Sequence, residues 1–142
     1  MSMRIVHDSN VIISGFLFGG PPARIIDYAV AGKIECFMSL PILDEVRDVL
    51  QRPKFGLSPE QALSVAEELH DLCRIVHPKL RIRAVEADPD DDAILECAVA
   101  AHAKLVVSGD SHLLDLGQWK DILILSSSDA LTHIASMVKG NI

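Results

Sequence analysis

Short apolar runs alternate along this chain with longer segments of helical periodicity. Strands separated by helices favour right-handed βαβ units, because parallel strands need a crossover connection. The sequence therefore predicts an α/β fold, a three-layer α/β/α domain with a mainly parallel central sheet and helices on both faces. The strand-like runs are residues 4–7, 33–39, 104–108 and 122–125, and the helical segments are residues 21–32, 41–51, 58–76, 88–102, 111–114 and a last one beginning near Ser128.

The length and composition predict one globular domain over residues 1–142. A chain of 142 residues with 49% apolar and 23% charged residues can bury a core of its own. No apolar run approaches the roughly 20 residues of a membrane span, and the N-terminus lacks a signal-peptide pattern, so we expect a cytoplasmic protein. Residues 78–87 fit either an edge strand or a loop.

The net charge of the chain limits how it could bind a nucleic acid. A formal charge of −7 argues against nonspecific binding of a polyanion, so a nucleic-acid substrate would need a local basic patch, a bound metal or a second subunit. Candidate cations for such a patch are Arg24, Arg47, Arg52, Lys54, Lys79, Arg81 and Arg83.

The three cysteines lie among apolar neighbours without metal-like spacing, which predicts buried free thiols.

Two acids directly follow strand-like runs. Asp8 comes after residues 4–7, and Asp110 comes after the run 105–109. Residues just past strand ends line the ligand crevice of open parallel sheets, so we expect both carboxylates at one edge of the sheet. Each also has a simpler explanation, because Asp8 begins an Asp-Ser-Asn turn sequence and Asp110 is a good helix N-cap.

Glu45 lies beside the apolar stripe of its predicted helix, three residues after Ile42 and four before Val49. A carboxylate buried there costs several kcal/mol unless it is paired or binds a metal. A side chain that reaches solvent from the border of the stripe, or pairs with an arginine, would explain the position equally well. The polar face of the helix carries Asp44, Arg47, Asp48 and Gln51.

The helix predicted to begin at Asp88 starts with a run of acids. Capping by Asp88 and the helix dipole account for Asp88 and Asp90. Asp91 instead extends the apolar stripe, which predicts a buried carboxylate, whereas Asp92 shares a face with Glu96 and is expected to be more exposed.

Four carboxylates brought together repel one another unless cations neutralise them. Oxygen ligands select Mg²⁺ or Mn²⁺, as one or two ions, and no His/Cys cluster offers zinc a site. Such ions would bind a scissile phosphate and activate a water. Ser9, Asn10 and Ser108 are candidate donors that orient the carboxylates, and His112 is a candidate contact for substrate or phosphate.

Four pieces of the chain, in order, resemble the PIN-domain family of metal-dependent ribonucleases, in particular the toxins of prokaryotic toxin–antitoxin pairs. They are residues 6–11 (VHDSNV), Glu45, residues 91–98 (DDAILECA) and residues 107–114 (VSGDSHLL). The resemblance implies that Asp8, Glu45, Asp91 and Asp110 are the catalytic and metal-binding acids, with Asn10 and Ser108 in support. It also implies a single-stranded RNA substrate, a homodimer and a small antitoxin partner. Many relatives carry another acid where this chain has His112.

Two other functions remain open from the sequence. A receiver-like or phosphatase-like Mg²⁺-binding domain predicts a lysine after a later strand, where this chain has Ser126-Ser127-Ser128. A catalytically silent protein-interaction module with the same fold would not need all four acids.

Overall fold

The computed structural model describes residues 2–85 and 89–140, which form six strands and seven α-helices. The strands are β1 (Met3–His7), β2 (Ile34–Ser39), β3 (Arg74–Val76), β4 (Leu105–Val107), β5 (Gln118–Trp119) and β6 (Ile122–Leu125). The helices are α1 (Ser9–Leu17), α2 (Pro21–Val30), α3 (Leu40–Leu50), α4 (Pro59–Leu72), α5 (Pro89–Ala100), α6 (Ser111–Leu116) and α7 (Ser127–Gly140), and a 3₁₀ turn spans Pro53–Phe55.

The strands form one sheet in the order β3-β2-β1-β4-β6-β5, parallel throughout except for the pair β5–β6. The chain builds outward from β1 to β2 and β3, then returns to place β4 on the other side of β1. This reversal between β1 and β4 is a topological switch point, and it opens a crevice at the carboxyl ends of these two strands. The predicted α/β/α architecture is confirmed.

Alternate residues of the central strands supply the cores on the two faces of the sheet. Val6 and Val106 belong to a large apolar cluster with residues of α3, α4 and α5. Ile5 and Val107 belong to a second cluster that includes Ile25 of α2 and residues of α7. Because β1 and β4 are covered on both faces, their ends are the part of each strand that a ligand can approach.

Most predicted elements are present, and local signals located them well. Ser58 and Gln61 form the expected capping box at the start of α4, with Gln61 N donating to Ser58 Oγ at 3.1 Å and Ser58 N donating to Gln61 Oε1 at 2.9 Å. Strand β6 has the predicted bounds. The capping expected from Asp88 lies outside the described residues.

Four of the described elements, α1, α4, β3 and β5, differ from the sequence predictions. Residues 9–17 form α1, where only a turn was expected, because Asp8 caps the helix. The helix predicted over residues 58–76 ends at Leu72, and Arg74–Val76 forms β3 by pairing with β2. β5 was not predicted. Both missed strands are only two or three residues long. β3 is a strand because it pairs with the distant β2, and β5 pairs with the adjacent β6 in a tight hairpin.

Residues 78–85 form a loop rather than an edge strand. In the described ranges, 2–85 and 89–140, no helix is long and apolar enough to cross a membrane.

Candidate metal centre

One cavity of about 570 Å³ at the carboxyl ends of β1 and β4 is lined by Asp8, Glu45, Asp91 and Asp110. The structure thus brings together all four acids singled out in the sequence. No lysine or arginine of the described part of the chain lines this cavity. The remaining lining residues are Ser9, Asn10, Val11, Ser14, Pro22, Ile94, Gly109, Ser111 and Ser127.

Asp8 is held by contacts to both carboxylate oxygens. Oδ1 accepts a hydrogen bond from the Val11 N–H at 3.0 Å and caps α1, while Oδ2 accepts the Ser108 hydroxyl in a short bond. Its own N–H donates to the Val107 carbonyl at 2.9 Å, which continues the β1–β4 ladder. Asp8 can therefore cap α1 and still offer lone pairs to a ligand in the cavity, because each carboxylate oxygen has a second lone pair.

Asp110 is the N-cap of α6 and lies opposite Asp8 across Ser108. Its Oδ1 accepts from the His112 N–H at 2.8 Å and the Leu113 N–H at 3.3 Å. The Asp110 N–H donates to Ser108 Oγ at 3.0 Å. The fully buried Ser108 therefore accepts from one aspartate and donates to the other, which fixes the two strand-end acids relative to each other.

Glu45 enters the cavity from α3, and Ser9 orients it. The Ser9 hydroxyl donates to Glu45 Oε2 at 2.9 Å, and Ser9 is only 2% exposed. Glu45 itself is half-buried, next to the buried Val46 of the apolar stripe. The contact joins α3 to the start of α1, so Ser9 lies where the sequence predicted a supporting donor.

Asp91, Asp110 and His112 form the tightest group of candidate ligands. His112 Nδ1 lies 3.9 Å from Asp91 Oδ2 and 3.6 Å from Asp110 Oδ1. One candidate ligand atom from each residue lies within 4.8 Å of the other two. Two carboxylates and an imidazole fit a divalent cation, and the nitrogen widens the choice toward Mn²⁺ and other transition metals. His112, predicted as a substrate contact, is thus placed as a possible third ligand.

The cavity also contains polar residues that sequence reasoning missed. Asn10, predicted as a supporting donor, is exposed and lines the cavity, whereas Ser14, Ser111 and Ser127, which also line it, were not singled out in the sequence. Ser127 begins α7, with only Ser126 between it and β6. The serine run at this strand end was the signal that could have revealed it. A serine rather than a lysine at this position weakens the receiver-like alternative.

Asp92 was expected to be more exposed than Asp91, and this was wrong: the exposed fractions are 8% and 7%. Asp92 Oδ1 accepts the N–H groups of Ala84 at 2.9 Å and Val85 at 2.8 Å. Glu96 Oε2 accepts the Ile82 N–H at 2.9 Å. Asp92 and Glu96 do share a face, but the loop covers that face and uses their oxygens as backbone acceptors.

The three cysteines are buried free thiols, as predicted. Burial raises the pKa of the Cys97 thiol to about 12. Cys36 Sγ lies 3.9 Å from Nδ1 of His7, the buried residue that precedes Asp8. His7, which directly precedes Asp8, therefore has a buried thiol beside its imidazole.

Comparison with known families gives one match. Residues 4–112 match a family model described as PIN domain, and the matched segment contains Asp8, Glu45, Asp91, Asp110 and His112. It ends within α6 and leaves out β5, β6 and α7. No curated protein matches the chain.

Proposed function

Because the match spans well over half of its residues, this chain belongs to the PIN-domain family, and we propose that it is a metal-dependent ribonuclease that hydrolyses phosphodiester bonds in single-stranded RNA. PIN domains are generally nucleases and typically bind divalent metals. The observation that carries the proposal is the meeting of four carboxylates in one cavity with no described lysine or arginine in its wall. Such a wall repels phosphate unless cations neutralise it.

The residues present would hold one or two Mg²⁺ or Mn²⁺ ions. Asp91, Asp110 and His112 have the closest set of ligand atoms, and Asp8 and Glu45 face the same cavity. A divalent cation held by these residues would supply Lewis-acid chemistry, polarising a phosphoryl oxygen and activating water for in-line attack. The ion identity is part of the proposal, since His112 would favour Mn²⁺ over Mg²⁺.

The chain's own residues supply orientation. The Ser108 hydroxyl donates to the Asp8 carboxylate, the Ser9 hydroxyl donates to Glu45, and the backbone N–H groups of His112 and Leu113 donate to Asp110. These three carboxylates therefore have restricted rotamers before substrate binds. In the hydrolysis, water oxygen bonds to phosphorus and the bond from phosphorus to the leaving oxygen breaks. The products are one phosphate end and one hydroxyl end.

We propose further that the protein is the toxin of a toxin–antitoxin pair. This role implies two partners: a second copy of this chain and a small antitoxin protein that blocks the cavity. Induced expression of the wild type should stop growth, and Asp8→Asn should not. Light scattering of the purified protein should give a dimer mass. A monomer at all concentrations would remove the homodimer from the proposal.

Cleavage of labelled single-stranded RNA by protein purified free of any co-expressed partner tests the nuclease assignment. Glu45→Gln is compared with Asp44→Asn, its exposed neighbour on α3, whose only described ion pair is to Arg47 at 3.9 Å. Cleavage should require Mn²⁺ or Mg²⁺, stop in chelator, fall by about 100-fold or more in Glu45→Gln and persist in Asp44→Asn.

Equal cleavage by wild type and Asp8→Asn would contradict the assignment. If the wild type cleaves none of several RNAs with either metal, the catalytically silent interaction module becomes the better explanation.

A further inference from the structure

The loop between β3 and α5 has a cationic outer side. In residues 79–85, here called the basic loop, the exposed cations Lys79, Arg81 and Arg83 alternate with apolar residues, of which Ile82 is only 9% exposed. None of these three cations forms an ion pair with a carboxylate of the described residues. Three exposed cations within five residues are the closest grouping of positive charge along a chain of net charge −7.

The backbone of the basic loop is held by acids of α5 although it has no regular structure. Asp92 and Glu96 together accept three of its N–H groups, from Ile82, Ala84 and Val85, at 2.8–2.9 Å. Hydrogen bonds to charged acceptors are about twice as strong as neutral ones. The loop is therefore fixed to the same helix turn that carries Asp91 into the metal centre.

The surface around the basic loop extends its positive charge and adds an aromatic ring. Residues 80–84 share a cavity of about 270 Å³ with Trp119 and Lys120. The Lys120 ammonium lies 4.7 Å from the centre of the Trp119 ring. Cations beside an aromatic ring are the usual composition of surfaces that bind single-stranded nucleic acid, because phosphates contact the cations and a base stacks on the ring. Trp119 is half-buried and packs against the core, so only its exposed part is available to a base.

The basic loop adjoins the metal centre through two shared helices. A cavity of about 600 Å³ is lined by Arg81 and Arg83 together with Pro41 of α3 and Asp92 of α5. The acidic cavity is lined by Glu45, one turn further along α3, and by Asp91 of α5. A single-stranded RNA that extends from the acidic cavity over the N-terminal ends of α3 and α5 would therefore contact the basic loop.

We propose that the basic loop, with Lys120 and Trp119, is the surface that holds single-stranded RNA while its scissile phosphate lies in the acidic cavity. The proposal rests on the nuclease function and deepens it, because the acidic cavity itself offers an RNA strand no described lysine or arginine. Asp92 and Glu96 are positioning residues in this arrangement, since they act on RNA only through the loop.

Binding is measured separately from cleavage, with a fluorescein-labelled oligouridine in chelator over a range of salt concentrations. The variant Arg81→Gln/Arg83→Gln is compared with Lys33→Gln/Lys139→Gln, which changes two exposed lysines elsewhere. Each double variant removes two positive charges and moves the formal charge from −7 to −9, so a difference between them reports position rather than net charge.

The slope of log affinity against log salt falls by about 0.7 per lost phosphate contact with single strands. Arg81→Gln/Arg83→Gln should therefore lower the slope by about 1.4 and weaken binding at low salt by roughly tenfold or more, and the lysine control should change neither. Trp119, the only tryptophan, should change its fluorescence when RNA binds. In cleavage, the arginine variant should raise KM and leave kcat near the wild-type value.

Unchanged affinity and salt slope in the arginine variant would overturn the inference even if the protein cleaves RNA. Wild type that binds no RNA, or binds an acidic peptide of equal charge more tightly, would overturn it as well. RNA binding that depends on Arg81 and Arg83 without cleavage by either metal would support the surface and refute the nuclease.

Discussion

Asp91 and Asp92 are adjacent, equally charged and equally buried, yet the structure predicts opposite consequences for their loss. Asp91 faces the acidic cavity and lies near His112. Asp92 binds two backbone N–H groups of the basic loop. Asp92→Ala should therefore destabilise the fold, while Asp91→Asn should leave the metal-free protein as stable as the wild type, or more stable because it relieves repulsion.

The magnitude for Asp92→Ala follows from its two bonds, at 2.9 and 2.8 Å. Hydrogen bonds to charged groups contribute about 1.5–3 kcal/mol each, or about 3–6 kcal/mol together if both N–H groups stay buried. Ala84 is half-buried, so a small shift lets its N–H reach water. We expect a loss of about 2–4 kcal/mol, and about 1 kcal/mol for Asp92→Asn, which keeps an acceptor oxygen.

Urea unfolding and thermal melting in chelator measure these differences. For a domain of this size the expected loss in Asp92→Ala lowers Tm by about 10 °C. Hydrogen exchange should show faster exchange at the amides of Ala84 and Val85 in that variant. In cleavage assays with Mn²⁺, Asp92→Asn should retain activity, whereas Asp91→Asn should lose it.

Two results would refute this reasoning. Stability of Asp92→Ala within about 0.5 kcal/mol of the wild type, the usual range for surface changes, would mean that the loop contacts contribute nothing. A dead Asp92→Asn beside an active Asp91→Asn would mean that the two residues exchange roles.

Three further predictions concern the metal centre and the buried thiol of Cys97. Ser9→Ala should keep the fold but weaken Mn²⁺ binding by about 10–100-fold, because Glu45 loses its orienting donor; unchanged affinity in a Mn²⁺ titration would contradict this. Mn²⁺ at about 100 times its Kd should raise the free energy of unfolding by about 2.7 kcal/mol in the wild type and not in Asp110→Asn, and a wild type whose melting ignores Mn²⁺ would argue against the site. Burial raises the pKa of Cys97 from the ordinary value of 9.0 to about 12, so above pH 9.0 the unfolded chain loses this proton first and stability falls as pH rises. Below that pH the thiol should react with a disulfide reagent only as fast as the protein unfolds, and faster reaction would show that Cys97 is accessible.

The sequence predicted an element correctly where the interactions that form it are between residues close together in the chain. The capping box of Ser58 and Gln61 depends on residues three apart, and it is present as predicted. β3 depends instead on a partner strand: Arg74–Val76 continues an apparently helical pattern, but its pairing with β2 makes it a strand. α1 was missed because Asp8-Ser9-Asn10 suits a turn and a helix start equally well.

The sequence by itself determined the class of fold and the four acids, because strand and helix periodicities are properties of neighbouring residues. Only the tertiary structure decided that β4 lies beside β1, which brings Asp8 and Asp110 to one hydroxyl, that of Ser108. It also decided that Asp92, which the sequence predicted to be exposed, is covered by the basic loop and accepts its N–H groups. α5 is covered on several sides, so the periodicity of its sequence could not distinguish a face that lines a site from one buried under a loop.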